Sequence, residues 1–114
     1  MVPKGCGRIM KGMDSYYIGT VTAMQELMLS MPQGAVPKHV GIKDDLIWLW
    51  AEVDWDNFPE EHRIFVVGDG YSLSGEEGPY IGTVIHYTEY NTYVWHFYDS
   101  KNPLPPEPPE VVNG

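Results

Sequence analysis

Between Asp44 and Glu61 the chain carries seven carboxylates, Asp44, Asp45, Glu52, Asp54, Asp56, Glu60 and Glu61, with no Lys or Arg among them. Trp48, Trp50 and Trp55 share the stretch. Carboxylates beside indoles suit three kinds of chemistry. They can hold a cation, imitate the charge of nucleic acid toward a basic partner, or form a protein-binding patch whose rings supply contact area. Asp54, Trp55, Asp56, Glu60 and Glu61 are the candidate protein-binding group. A solvated loop flanking a strand would have the same composition. No pair of carboxylates is marked as acid and base.

Cations are scarce: only Lys38, Lys43 and Arg63 lie between residues 12 and 100. A phosphate held inside the domain would need Arg63 or Lys43, helped by backbone N–H groups. Trp48, Trp50, Trp95 and Tyr80 offer ring faces on which a base could stack. These six are the candidate ligand-binding residues.

Other constellations carry less. His86, Glu89 and His96 would approach one another across a hairpin, a conceivable metal set. Pairing of residues 87 and 93 would leave the two imidazoles one or two rungs apart, and surface imidazoles are the favoured reading. Neither a metal nor a cofactor is expected. Gly68-Asp69-Gly70 reads as a turn, since a dinucleotide fingerprint needs a third Gly and a following helix. There is no Gly-x-Ser-x-Gly elbow. Cys6 is the only cysteine, and a nucleophile in an N-terminal leader is poorly positioned. No catalytic residue is identified, and the protein is not expected to be an enzyme.

The elements that must position these residues have a period of two. Tyr16–Thr22 contains β-formers around Gly19. In residues 46–53, Ile47, Leu49, Ala51 and Val53 form one face; Leu46, Trp48, Trp50 and Glu52 form the other. The first is a core face and the second is aromatic. Ile64–Val67 is a short strand running into the turn at Gly68. Tyr80–Tyr87 and Tyr93–Tyr98 are two more, joined by a hairpin loop at 88–92. Thr22–Met31 is the one helix candidate, with good helix formers and a capping-box-like Thr22/Gln25. Leu27, Leu29 and Met31 also alternate, so helix and strand both stand. Tyr17-Ile18-Gly19-Thr20-Val21 recurs as Tyr80-Ile81-Gly82-Thr83-Val84, where each Gly would allow a bulge or a close neighbour. The expectation is a mainly β, small antiparallel sheet or barrel-like domain of about six or seven strands, with at most one short helix.

The chain's 114 residues fit one domain. Residues 1–14 read as a flexible leader, 15–101 as the β-rich domain and 102–114 as a disordered tail that holds five of the 10 prolines. With 43% apolar residues the chain can build a core. A net charge of −9 and a pI near 4.6 argue against direct binding of long nucleic acid and against docking on an anionic membrane. Aromatics make up 13%, with 4 Trp and 8 Tyr against 3 Phe, which favours contact surfaces as well as core. An exposed aromatic strand face also invites self-association.

Five short motifs carry a resemblance: Met31-Pro32-Gln33-Gly34-Ala35, Leu49-Trp50-Ala51-Glu52-Val53-Asp54, Arg63-Ile64-Phe65-Val66-Val67-Gly68-Asp69-Gly70, Tyr80-Ile81-Gly82-Thr83-Val84 and Val94-Trp95-His96-Phe97-Tyr98. In this order and spacing, the segment from about Gln25 to Asp99 resembles a family of small phage and prophage proteins of unknown function. Its pattern is all-β, which implies a strand for Leu27–Met31. Family members usually have Gly-Thr-Gly-His where this chain has Gly68-Asp69-Gly70-Tyr71, and no catalytic residues come with the resemblance. It implies a phage accessory protein acting in the cytoplasm of an infected bacterium. Small acidic β-proteins of that setting often counter host defence. Some sequester nucleotide immune signals, as anti-Thoeris and anti-CBASS proteins do; others block a defence protein by contact or charge mimicry, as many anti-CRISPR proteins do. The leading expectation is therefore a sponge for a nucleotide-derived signal. The alternatives are an acidic inhibitor of a host defence protein and, third, a hydrolase of such a signal.

Overall fold

The computed structural model describes residues 10–100. Seven strands follow in chain order: β1 (Lys11–Gly19), β2 (Met24–Pro32), β3 (Val36–Lys43), β4 (Leu46–Asp54), β5 (Pro59–Gly68), β6 (Tyr80–Tyr87) and β7 (Thr92–Asp99). No helix occurs among the described residues. Alternation decides the faces. Along β4, Ile47, Leu49, Ala51 and Val53 are buried while Leu46, Trp48, Trp50 and Glu52 are half-buried, as the period of two requires. β2 is built largely from helix formers, yet it pairs with β5 along its whole length. Leu27, Leu29 and Met31 all pack in the core, and burial of that row outweighs a local propensity worth only tenths of a kcal/mol per residue. Thr22 N–H still donates to Gln25 Oε1 at 2.8 Å, so the cap-like contact stands in front of a strand.

All pairings are antiparallel. One sheet has the order β1-β4-β3 and the other β2-β5-β7-β6. Their inner faces share one core that includes Met31, Val40, Ile47, Leu49, Ile64, Val66, Val84 and Phe97. The edges β3 and β6 approach closely: a Cβ on Gly82 would lie 3.1 Å from Val40 Cγ2. The result is a two-sheet sandwich drawn together at one seam.

Turns define its two ends. Asp44 and Asp45 form the two-residue β3–β4 turn, both with positive φ, 54° and 66°, the backbone of a type I′ hairpin that Asp tolerates. Gly70 (φ 90°) occupies the third position of a turn closed by Tyr71 N–H to the Gly68 carbonyl, which confirms the turn read from Gly68-Asp69-Gly70. The end near Gly68 holds the β1–β2 linker, the β3–β4 turn, the exit of β5 and the β6–β7 hairpin tip. The opposite end holds Gln33, Gly34 and the Trp55–Phe58 connection between the two sheets.

Several boundaries shift. β1 starts at Lys11, so Lys11–Asp14, expected in the flexible leader, pair with Ala51–Asp54. β3 is masked in the sequence because Pro37 and Gly41 interrupt its pattern; it is an edge strand, with a register shift between Pro37 and His39, where Pro is tolerated. β5 extends back to Pro59 through Glu60, Glu61 and His62. Both copies of the Tyr-Ile-Gly-Thr-Val motif carry a register shift between Tyr and Gly, at Tyr17/Gly19 and at Tyr80/Gly82. Residues 1–9, with Cys6, and the Pro-rich tail lie outside the described residues.

Candidate functional site

Three of the six ligand-binding candidates meet on the outer face of the three-stranded sheet. Trp48 and Trp50 project from β4, and Lys43 from the end of β3 places its Nζ 4.5 Å from the centroid of the Trp48 ring. Neighbours complete the surface. Tyr17, opposite Trp48 in β1, meets it edge-on at 5.3 Å. His39, opposite Trp50 in β3, lies 5.7 Å from that ring. Between them Gly41 pairs with Trp48 and leaves bare backbone, where a Cβ would come 3.2 Å from His39 Nε2. Lys38 and Glu52 stand 3.8 Å apart at one side. The indole Nε1 of Trp48 is shielded from solvent and has no hydrogen-bond partner, a costly arrangement for a donor. Tyr17 and His39 were missed in the sequence because cross-strand neighbours are not sequence neighbours.

The other three candidates lie elsewhere. Arg63 faces outward from β5 in the four-stranded sheet and bonds Glu26 Oε2 at 3.2 Å. Its surroundings form a shallow pocket of about 120 Å³ that also includes Glu76 and Glu77, a poor cradle for phosphate because three carboxylates share it. Glu77 is buried and accepts from Ser74 N–H at 2.6 Å, Ser74 Oγ at 2.9 Å and Gly75 N–H at 3.0 Å. The backbone N–H of Ser74 above all, then its hydroxyl and the Gly75 N–H, hold this carboxyl below its ordinary value against the opposing effect of burial. Glu77 thereby closes a turn within the long β5–β6 connection.

Tyr80 begins a hydrogen-bonded chain on the outer face of the same sheet. Its hydroxyl contacts Thr83 Oγ1, which lies 2.8 Å from His96 Nδ1, and His96 Nε2 lies 3.0 Å from Asp69 Oδ1. Trp95 points to the inner face, where it packs against the core and stacks on Tyr93 with centroids 5.6 Å apart and planes 9° from parallel.

The acidic stretch divides. Asp44 and Asp45 turn the chain at one end, Glu52 lies on the outer face toward the far end of β4, and Asp54, Trp55, Asp56, Glu60 and Glu61 gather at that far end. There Asp56 N–H donates to Asp54 Oδ1 at 3.1 Å, and Asn57 Nδ2 to the Gln33 carbonyl at 2.8 Å. Trp55 covers Gly12, and its Nε1 reaches Asp14 Oδ2 at 3.4 Å. Phe58, which the composition did not single out, is 83% exposed at the tip. His86 and His96 pair with Tyr93 and Thr83 and lie three rungs apart, on opposite faces of the sheet. His86 contacts Asp45 at 3.5 Å instead. The conceivable metal set is therefore not assembled, and no group of three metal-ligating side chains exists among the described residues. Nor is any helix there long and apolar enough to cross a membrane.

These features define a small all-β sandwich with an aromatic outer face and an acidic, aromatic tip. Residues 20–108 match the family described as a domain of unknown function, DUF7352, and the chain belongs to that family. No curated protein matches it. No solved structure matches it either.

Proposed function

We propose that the protein binds and sequesters a small nucleotide-derived signal on the outer face of the β1-β4-β3 sheet, as a phage accessory protein that counters bacterial immunity. The observation that carries this reading is the meeting of Trp48, Trp50 and Lys43 on one solvent-facing surface. A base would stack on an indole. Lys43 and Lys38 would meet phosphate oxygens. No nucleophile or acid–base pair is needed, because the signal is held and not converted. Calorimetry against cyclic oligonucleotides and ADP-ribose derivatives tests this. Wild-type protein is expected to bind at least one of them, and Trp48→Ala or Trp50→Ala to weaken that binding. A folded protein that binds none overturns the reading.

A second reading rests on the exposure of Phe58 among Asp54, Trp55, Asp56, Glu60 and Glu61. An exposed ring within acids is a fitting hot spot for a basic host protein. Phe58→Ser is expected to abolish pull-down of such a protein without lowering stability. An unchanged pull-down counts against it.

A further inference from the structure

At the end of the sandwich near Gly68, an open pocket of about 380 Å³ lies between the β1–β2 linker, the exit of β5 and the start of β7. Ala23 and Gly68 are small and give it depth. Three rings line it: Tyr71, which packs against Gly68 with Cδ1 3.3 Å from where a Cβ would stand, and the stacked Tyr93 and Trp95. Asp69 is the only charged residue of the lining, which contains no Lys, Arg or His. Its size suits a small molecule, and the mouth of a β-structure is a frequent place for one.

The carboxylate is held in place. With the imidazole neutral and Nε2 protonated, His96 donates to Asp69 Oδ1, and Nδ1 accepts from the Thr83 hydroxyl, whose oxygen accepts from Tyr80. Every member of the chain is satisfied in this direction. That bond uses one carboxylate oxygen and leaves Oδ2 for a ligand. Asp44, Asp45 and Glu89 stand at the same end of the molecule and outnumber Lys43 there, so the local field is negative.

We propose that this pocket binds a small organic cation, an alkylammonium or guanidinium group, by ring faces and the Asp69 carboxylate together. Aromatic faces attract a desolvated cation, and the carboxylate supplies the opposite charge. A phosphate would face a carboxylate with no cation beside it. A neutral planar group would gain only the rings. The site differs from the sheet face in both position and ligand charge, and it stands or falls independently of the nucleotide reading.

Titration of the full chain with choline, followed by tryptophan fluorescence and by the Trp95 indole N–H resonance, tests it. Choline is expected to bind saturably. Its neutral carbon isostere, 3,3-dimethylbutan-1-ol, is expected to bind at least about ten-fold more weakly, in keeping with the worth of a desolvated cation–π contact. Tyr71→Ala, which removes an exposed ring, is expected to weaken choline roughly 2- to 30-fold. Asp69→Asn keeps the shape and is expected to weaken choline but not the isostere. Met28→Ser, on the outer face of the other edge strand, is expected to leave choline binding unchanged, and thermal melting reports the fold of each variant. A peptide carrying trimethyllysine that binds more tightly than choline assigns the cation to a protein side chain, and the reverse order assigns it to a free metabolite. Equal binding of choline and its isostere, no saturation, or an unaffected Asp69→Asn variant overturns the proposal.

Discussion

Neighbouring positions on β4 should respond to truncation in different ways, and the contrast tests the assignment of its two faces. Leu49 is fully buried, so Leu49→Ala removes core atoms and leaves a void, at a cost of roughly 2–5 kcal/mol. For a domain of this size each kcal/mol corresponds to roughly 4–8 °C, so the midpoint should fall by at least about 8 °C. Trp48 is one residue away but faces outward. Trp48→Ala loses the edge-on contact with Tyr17, worth about 0.5–1.5 kcal/mol, and the Lys43 contact, worth about 0.5–1 kcal/mol at an exposed site. The sum, roughly 1–2.5 kcal/mol, is smaller than the core loss. The effect on a stacked nucleotide should be larger in proportion: about 1–3 kcal/mol for one base, or roughly a 5- to 150-fold loss of affinity. Urea unfolding of Trp48→Ala, Lys43→Ala and the double variant isolates the pair, because the cycle cancels what each residue does alone. A coupling of about 0.5 kcal/mol or more is expected. A coupling near zero, or a Trp48→Ala variant less stable than Leu49→Ala, would refute the placement of this indole on a solvent-facing platform.

Glu77 should make the β5–β6 connection sensitive to acid. Its folded value is lowered, so its stabilisation is present above the ordinary carboxylate range and is lost as pH falls through the folded value. Protease nicking between Asp69 and Pro79 should rise at acid pH in the wild type, and at all pH values in Glu77→Gln. Gly82→Val should open the β3–β6 seam, because even the first carbon sits 3.1 Å from Val40; a loss of about 1–3 kcal/mol in denaturant unfolding is expected. Gly12→Ala would place a carbon 2.2 Å from the Trp55 ring, but that indole is half exposed and can swing away. The expected outcome is a red-shifted Trp55 emission with little loss of stability.

Local pattern carried the fold where it met burial directly. The two faces of β4, the β6–β7 hairpin and the paired bulges follow from alternation and glycine placement, and a reader of the chain alone obtains them. β3 was not legible, because Pro37 and Gly41 remove the very signals that mark a strand, and only its edge position explains why they are tolerated. Site geometry was less legible still. Lys43 and Trp48 are close in sequence and meet through the Asp44–Asp45 turn, so that pair could be anticipated. Asp69, His96, Thr83 and Tyr80 come from two strands and a turn. Nothing in their spacing shows that they form one hydrogen-bonded chain, since register decides it. Arg63 looked available for phosphate by scarcity alone; Glu26, brought diagonally across from it by the β2–β5 pairing, supplies its partner.

The charge of −9 takes on a different meaning once the acids are placed. Asp44 and Asp45 lie at one end of β4, and Asp54 and Asp56 at the other. A nine-residue strand separates them by roughly 30 Å, several times the distance of about 8 Å over which physiological salt screens exposed charges. Lys43 stands beside Asp44 and Asp45 at one end, and Lys38 pairs with Glu52 toward the other, so Trp48 and Trp50 lie between two lysines and away from most of the carboxylates. A long polyanion would have to cross the acidic ends, whose like charge would oppose it. A nucleotide on the Trp48–Trp50 surface, as proposed, would lie between Lys43 and Lys38. A small cation in the pocket beside Asp69 would meet a negative field. The same overall charge is thus compatible with both proposed ligands, which are opposite in sign, because the strands keep the two surfaces apart.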